Sequence, residues 1–169
     1  MMRVRLLLSQ GLKTADLVTR RYLEDFPTES WDLRPHPHCN HLNWQFGHLL
    51  LSEIELICGS LNQAPPISTT LLAAYKKPST TKPPLTASDA ATDLLTPTQL
   101  WAYYDQVRAS TLRLLEQTEA LDLDQPAMPS VRAYCPTIAD AFLQVSQHWL
   151  MHSGQWVVLR RIACLPQVI

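Results

Sequence analysis

Two histidines lie four residues apart near the end of the chain, in the stretch SQHWLMHSGQW, which contains His148 and His152. On an α-helix, residues at i and i+4 project from the same face, one turn apart. One helix can offer two imidazole ligands to a transition metal at this spacing. Ordinary half-buried helices also carry such pairs, so two interpretations stay open: metal ligands or core histidines.

The position of a third histidine favours the metal interpretation. His148 and His152 fall in the apolar stripe of a predicted fourth helix, beside two tryptophans, and His48 falls in the corresponding stripe of a predicted second helix. A buried imidazole without a polar partner is costly. A single divalent cation would satisfy all three imidazoles at once, so His48, His148 and His152 form the candidate metal site.

A second histidine-rich stretch, HPHCNH, contains His36, His38, Cys39 and His41. Such density is typical of a metal-binding tract. It is nevertheless the weaker candidate, because prolines interrupt it and no regular element fixes its geometry. His41, at the start of the second helix, could instead act as a hydrogen-bonding neighbour.

A carboxylate also lies on the predicted second helix. Glu55 follows His48 by seven residues, which places both on the same helical face. There it could act as an outer-shell base or hold the second nitrogen of a ligand histidine. The alternative interpretation is a solvated helix charge.

These residues need elements to position them, and helical periodicity is the clearest pattern in the chain. Four amphipathic segments of about twenty residues each are predicted, at about 4–24, 41–61, 96–119 and 137–161. Asn40 is a candidate cap for the second segment, and Thr96 with Gln99 and Thr137 with Asp140 form capping boxes for the third and fourth. We therefore expect an all-α four-helix bundle and a single domain over residues 1–169.

The predicted connection between the second and third helices is long, covering about residues 62–95. Its proline, serine and threonine content predicts a loop that wraps the outside of the bundle, with a short helical turn at LLAAYKK. Loops of this length in a small bundle often cover a site or a partner surface.

Composition excludes several classes of function. The 169 residues carry a net charge of −1 with 46% hydrophobic and 17% charged residues, so neither a nucleic-acid partner nor a membrane span is indicated. GxSxG, GxGxxG and P-loop motifs are absent, and the four cysteines show no CxxC spacing. We expect a cytoplasmic protein with buried free thiols.

The stretches NHLNWQFGHLLLSE and HWLMHSGQWVVLRR resemble the DinB superfamily. Trp44 and Gly47 precede the first ligand histidine as in that family, and its HxxxHxGQ signature is matched from His148 to Gln155. The resemblance implies a four-helix bundle in which three histidines hold a divalent metal, commonly zinc or nickel, completed by water. It also implies homodimers, and relatives that use low-molecular-weight thiols such as mycothiol or bacillithiol.

Two hypotheses about function follow. The first is a metal-dependent small-molecule enzyme, such as a thiol S-transferase or hydrolase, in which an activated thiol or water attacks an electrophile. The second is a non-catalytic, stress-associated helical bundle in which the metal mainly stabilises the fold. An open, polar-lined metal face would favour the enzyme.

Overall fold

Four long α-helices dominate the computed structural model, which describes residues 2–76, 94–117 and 123–168. They are α1 (Met2–Leu23), α2 (Leu42–Leu61), α3 (Pro97–Gln117) and α4 (Ile138–Ile162). Short 3-10 turns occupy Thr28–Ser30, Thr69–Tyr75 and Pro129–Val131, and no strand is found within the described ranges. The predicted all-α four-helix bundle is confirmed.

The helices pack in the cyclic order α1, α4, α2, α3. Helix α1 packs on α4 and α3, while α2 packs on α4, α3 and the 3-10 turn of the long connection. Because it has these three neighbours, α2 is buried on nearly all sides. Its residues that are not buried are Ser52, Glu55, Gly59 and Ser60. The prediction that α2 is amphipathic, with one buried face, was therefore wrong: the buried surface extends around most of the helix.

Both predicted capping boxes are confirmed. Before α4, the Thr137 hydroxyl accepts from the Asp140 backbone N–H at 3.2 Å, and the Asp140 carboxylate accepts from the Thr137 N–H at 2.9 Å. Before α3, Gln99 Oε1 accepts from the Thr96 N–H at 2.9 Å, and the Thr96 hydroxyl accepts from the Gln99 N–H at 3.3 Å. These bonds satisfy N–H groups that lack partners inside each helix.

The cap expected at the start of α2 was wrong by one residue. The N-cap is His41, whose Nδ1 accepts from the Trp44 backbone N–H at 3.1 Å. A neutral imidazole nitrogen can do this in place of a side-chain oxygen. Asn40 contributes its backbone carbonyl instead, which accepts from Gln45 Nε2 at 2.7 Å.

The long connection is fixed to the bundle through Tyr75, at the end of the predicted helical turn, which is confirmed as the 3-10 turn Thr69–Tyr75. The Tyr75 hydroxyl donates to Asn43 Oδ1 at 2.9 Å and accepts from the Leu95 N–H at 2.8 Å. Burial raises the pKa of Tyr75 to about 12, so the phenol keeps its proton at neutral pH. Residues 77–93 of the predicted loop, and the predicted end of the third helix at 118–119, lie outside the described residues.

Among the described residues, no helix combines the length and the apolar character needed to cross a membrane.

Candidate metal centre

The three predicted histidines converge between α2 and α4. The ring centroid of His148 lies 5.4 Å from that of His48 and 5.1 Å from that of His152, and the His48 and His152 centroids are 6.2 Å apart. His48 and His152 are buried, whereas His148 is partly exposed. The two imidazoles of α4 and the imidazole of α2 therefore meet at one place between these helices.

The spacing of the rings is close to that of a shared metal site. Imidazoles bound to one ion at about 2.1 Å place their ring centroids about 5 Å apart, which fits the two pairs that include His148. The third pair is about 1 Å wider than this estimate. As the side chains stand, no group of three or more His, Cys, Asp or Glu within the described residues could hold a metal ion. For all three imidazoles to bind one ion, the rings of His48 and His152 must approach each other by about 1 Å.

His48 is held in an orientation that suits a metal ligand. Its Nδ1 lies 3.3 Å from the backbone oxygen of Tyr75. A carbonyl oxygen only accepts, so Nδ1 carries the proton and the lone pair is at Nε2. The indole of Trp44 stacks on the His48 ring at 4.8 Å, with 11° between the planes. Ligand histidines commonly donate their second N–H to such an oxygen.

The matching contact for His152 comes from α2. Its Nδ1 lies 3.2 Å from Oε1 of Gln45, a residue that is fully enclosed by protein. No pattern in the sequence marked Gln45 or the Tyr75 carbonyl, because neither contact is local. The ring of His152 meets Gln45 across 107 positions of the chain.

A cavity of about 250 Å³ opens beside His148. Ser52, Glu55 and Gln144 give it polar walls, and the remaining lining is Leu56, Met128, Val131, Tyr134 and Met151. Partial burial raises the pKa of Tyr134, and negative charge on Cys135 or Glu55 raises it further. An open, partly polar face therefore adjoins the histidines.

Glu55 is exposed and shares the cavity wall with His148. The contacts described for Nδ1 of His48 and His152 go to Tyr75 and Gln45 instead. The role of Glu55 as an outer-shell base stays a prediction.

The HPHCNH stretch does not assemble a metal site among the described residues. The rings of His36 and His38 are exposed and lie 5.2 Å apart, and His36 Nδ1 accepts from the His38 backbone N–H at 3.2 Å. His41 uses its Nδ1 to cap α2. Nδ1 of His36 and Nδ1 of His41 thus accept hydrogen bonds from nearby backbone N–H groups, which uses lone pairs that a metal would need.

The fold and the converging residues define a four-helix bundle with histidines contributed by its second and fourth helices. The sequence profile of the DinB superfamily matches residues 12–156, and the chain therefore belongs to this superfamily. A crystal structure described as the conserved protein of locus from Enterococcus faecalis has the same fold, with a TM-score of 0.71. The two chains are 21% identical, and the alignment covers 94% of this chain and 96% of that one. No curated protein matches the sequence significantly.

Proposed function

We propose that this DinB-superfamily protein binds one divalent metal ion, zinc or nickel, and is a metal-dependent small-molecule enzyme such as a thiol S-transferase. The observation that carries the proposal is the meeting of three imidazoles, from two helices, next to an open cavity. His48, His148 and His152 would hold the ion, and three neutral imidazoles leave coordination positions for a substrate.

A bound divalent ion would supply Lewis-acid chemistry, which lowers the pKa of a thiol or a water molecule. The protein's own residues orient the reaction. The Tyr75 carbonyl and Gln45 hold the two buried histidines, and the cavity admits the electrophile from the side of His148. In the transfer step the thiol loses its proton to Glu55, and the sulfur bonds to the electrophilic carbon. The leaving group departs with its bonding electrons.

The cavity lining limits the substrate. Four of the lining side chains are apolar, namely Leu56, Met128, Val131 and Met151, and Glu55 supplies a carboxylate to the lining. Ligand pockets usually enclose about 300–1,000 Å³, so a cavity of about 250 Å³ accepts a small molecule only. We propose a small electrophile with an apolar body.

The same small volume favours the second candidate, a non-catalytic, stress-associated bundle in which the metal stabilises the fold. The two candidates share the metal site and differ in whether a substrate reaches it. Metal content and turnover must therefore be measured separately.

The metal site is tested with untagged protein and element analysis by mass spectrometry. Wild-type protein should retain about one zinc or nickel ion per chain after dialysis, and His48→Ala should lose it because only two imidazoles remain. His38→Ala is the matched control, since His38 is an exposed histidine of the other cluster and its loss should leave the metal content unchanged. Full retention of metal by His48→Ala would refute the site.

Turnover is tested by following thiol consumption with monobromobimane as the electrophile. We expect consumption above the uncatalysed rate only when protein, metal and thiol are all present, and loss of that excess in His48→Ala. Metal that binds tightly while every thiol and electrophile gives the uncatalysed rate would overturn the enzyme and favour the second candidate.

A further inference from the structure

A single glutamine connects the start of α2 to the candidate ligands on α4. Gln45 precedes His48 by three residues and is 1% exposed. Its carboxamide makes four contacts, with Asn40, Gln155, His152 and Trp156.

Two of these contacts fix which end of the amide is oxygen. The Trp156 indole N–H can only donate, and it lies 3.2 Å from the atom assigned as Oε1. The Asn40 backbone carbonyl can only accept, and it lies 2.7 Å from the atom assigned as Nε2. Exchanging the two atoms would put donor against donor and acceptor against acceptor. The observed orientation is therefore the one that satisfies both partners.

The orientation of the amide determines the state of the neighbouring histidine. Because Oε1 only accepts, the His152 nitrogen 3.2 Å from it, Nδ1, must carry a hydrogen. A neutral imidazole has one N–H, so its lone pair is then at Nε2. Oε1 receives two donors, from His152 and Trp156, which uses both of its lone pairs.

We infer that Gln45 is a positioning residue that fixes His152 as the Nδ1–H tautomer and so presents Nε2 as the coordinating nitrogen. Its effect on metal affinity rests on the proposed function, whereas the tautomer is a property of the metal-free protein. Gln45 does for His152 what the Tyr75 carbonyl does for His48, and neither partner adds a charge to the site. Helix α2 therefore supplies both one ligand and the support for a ligand on the opposite helix.

The tautomer is read from long-range proton–nitrogen correlation spectra of metal-free protein labelled with ¹⁵N-histidine, at a pH where His152 is neutral. Wild-type protein should show His152 with its hydrogen on Nδ1. In Gln45→Met, which keeps the length of the side chain and removes the acceptor, the signal should shift toward the Nε2–H tautomer. Observation of the Nε2–H tautomer in wild-type protein would overturn the inference, whatever the variant does.

Gln155→Met is the matched control. Gln155 accepts from Gln45 Nε2 at 3.1 Å and belongs to the same network, but it is on the amide's other end from His152. This variant should keep the wild-type tautomer, while circular dichroism confirms that both variants fold. Equal shifts of the His152 signal in the two variants would refute a specific role for Gln45.

Metal affinity gives a second measurement. Loss of a partner that orients a ligand histidine typically lowers metal affinity about 10- to 100-fold, and this is expected for zinc binding by Gln45→Met. If wild-type protein binds no metal but His152 is the Nδ1–H tautomer, the proposed function fails and the inference about the tautomer stands. If metal binds and Gln45→Met changes neither tautomer nor affinity, the inference fails alone.

Discussion

At the scale of single residues, Gly47 links the long connection to the candidate site. A Cβ atom added to Gly47 would lie 2.3 Å from Cδ1 of the Tyr75 ring, which is far inside van der Waals contact. Tyr75 is also the residue whose backbone oxygen faces His48. Glycine at position 47 therefore allows the loop to approach α2 closely enough for the Tyr75 carbonyl to face His48.

Replacing Gly47 with alanine should move the Tyr75 ring and with it the carbonyl that holds His48. We expect Gly47→Ala to lower the free energy of unfolding by about 1–3 kcal/mol, as overpacking of a core does. Metal affinity should fall as well. Urea unfolding followed by tryptophan fluorescence measures the first effect, and zinc titration the second.

Gly154 is a matched control for this prediction, because it is also a helical glycine and a Cβ there would meet nothing within 4 Å. Gly154→Ala should stabilise the protein by about 0.5–1 kcal/mol, since alanine favours the helix. Equal destabilisation by the two substitutions would contradict the packing argument.

At the scale of the helices, a buried ion pair joins three of them. Glu53 on α2 accepts from the Thr111 hydroxyl of α3 at 2.7 Å and from the Trp149 indole of α4 at 2.8 Å. Arg108 NH2 lies 3.0 Å from Glu53 Oε2, and the guanidinium lies over the rings of Tyr104 and Trp149. The side chains of Glu53 and Arg108 are 1% and 4% exposed. The pair sets the register between α2, α3 and α4.

Removing the cation alone should be costly. Arg108→Met leaves the Glu53 carboxylate buried without its counter-charge, and we expect a loss of about 3–5 kcal/mol in unfolding free energy. The double variant Glu53→Gln/Arg108→Met keeps an oxygen for the Trp149 indole, and the Gln amide N–H can donate to the Thr111 hydroxyl. It should recover part of that loss. Urea unfolding of both variants measures the difference. A double variant no more stable than the single one would contradict this account.

The helices and their caps could be predicted because their causes are local. The capping boxes at Thr96 and Thr137 and the i, i+4 spacing of His148 and His152 are each contained within a few residues. His41 was not predicted as the N-cap of α2 because histidine is not among the residues that usually take that position. Gln45 escaped because its role depends on which residues of α4 come to lie opposite it, and this is fixed only by the packed bundle.

At the scale of the whole molecule, Arg160 ties the end of α4 to the end of α1. The Arg160 side chain is 3% exposed, and its guanidinium donates to the Tyr22 carbonyl at 2.8 Å and to the Pro166 carbonyl at 3.0 Å. It also makes two hydrogen bonds with the Asp25 carboxylate. One side chain thus joins the first helix, the last helix and the segment after it.

Because of this contact, the free energy of unfolding should depend on pH in the acidic range. Hydrogen bonding to Arg160 holds the pKa of Asp25 below its ordinary value of 3.8, against the opposing effect of burial. A carboxylate with a lowered pKa in the folded protein stabilises it above the unfolded pKa, and this contribution is lost as the pH falls through the folded value. Asp25→Asn should therefore be less stable than wild type at pH 7. The difference in unfolding free energy between the two proteins should shrink as the pH falls below about 4.

Urea unfolding at a series of pH values from neutral to strongly acidic tests this expectation. Asp32→Asn is the control, at an exposed carboxylate elsewhere on the chain. A gap between wild type and Asp25→Asn that stays constant at every pH would rule out the linkage to Asp25.

The hydrogen bond between the Tyr75 hydroxyl and the Leu95 N–H has a further consequence. It brings Tyr75 and Leu95 to one point of the bundle, beside Asn43. The entropic cost of bringing two such chain ends together rises only slowly with the number of residues between them. Evolution could therefore lengthen, shorten or exchange the sequence between Tyr75 and Leu95 without displacing His48, which faces the Tyr75 carbonyl.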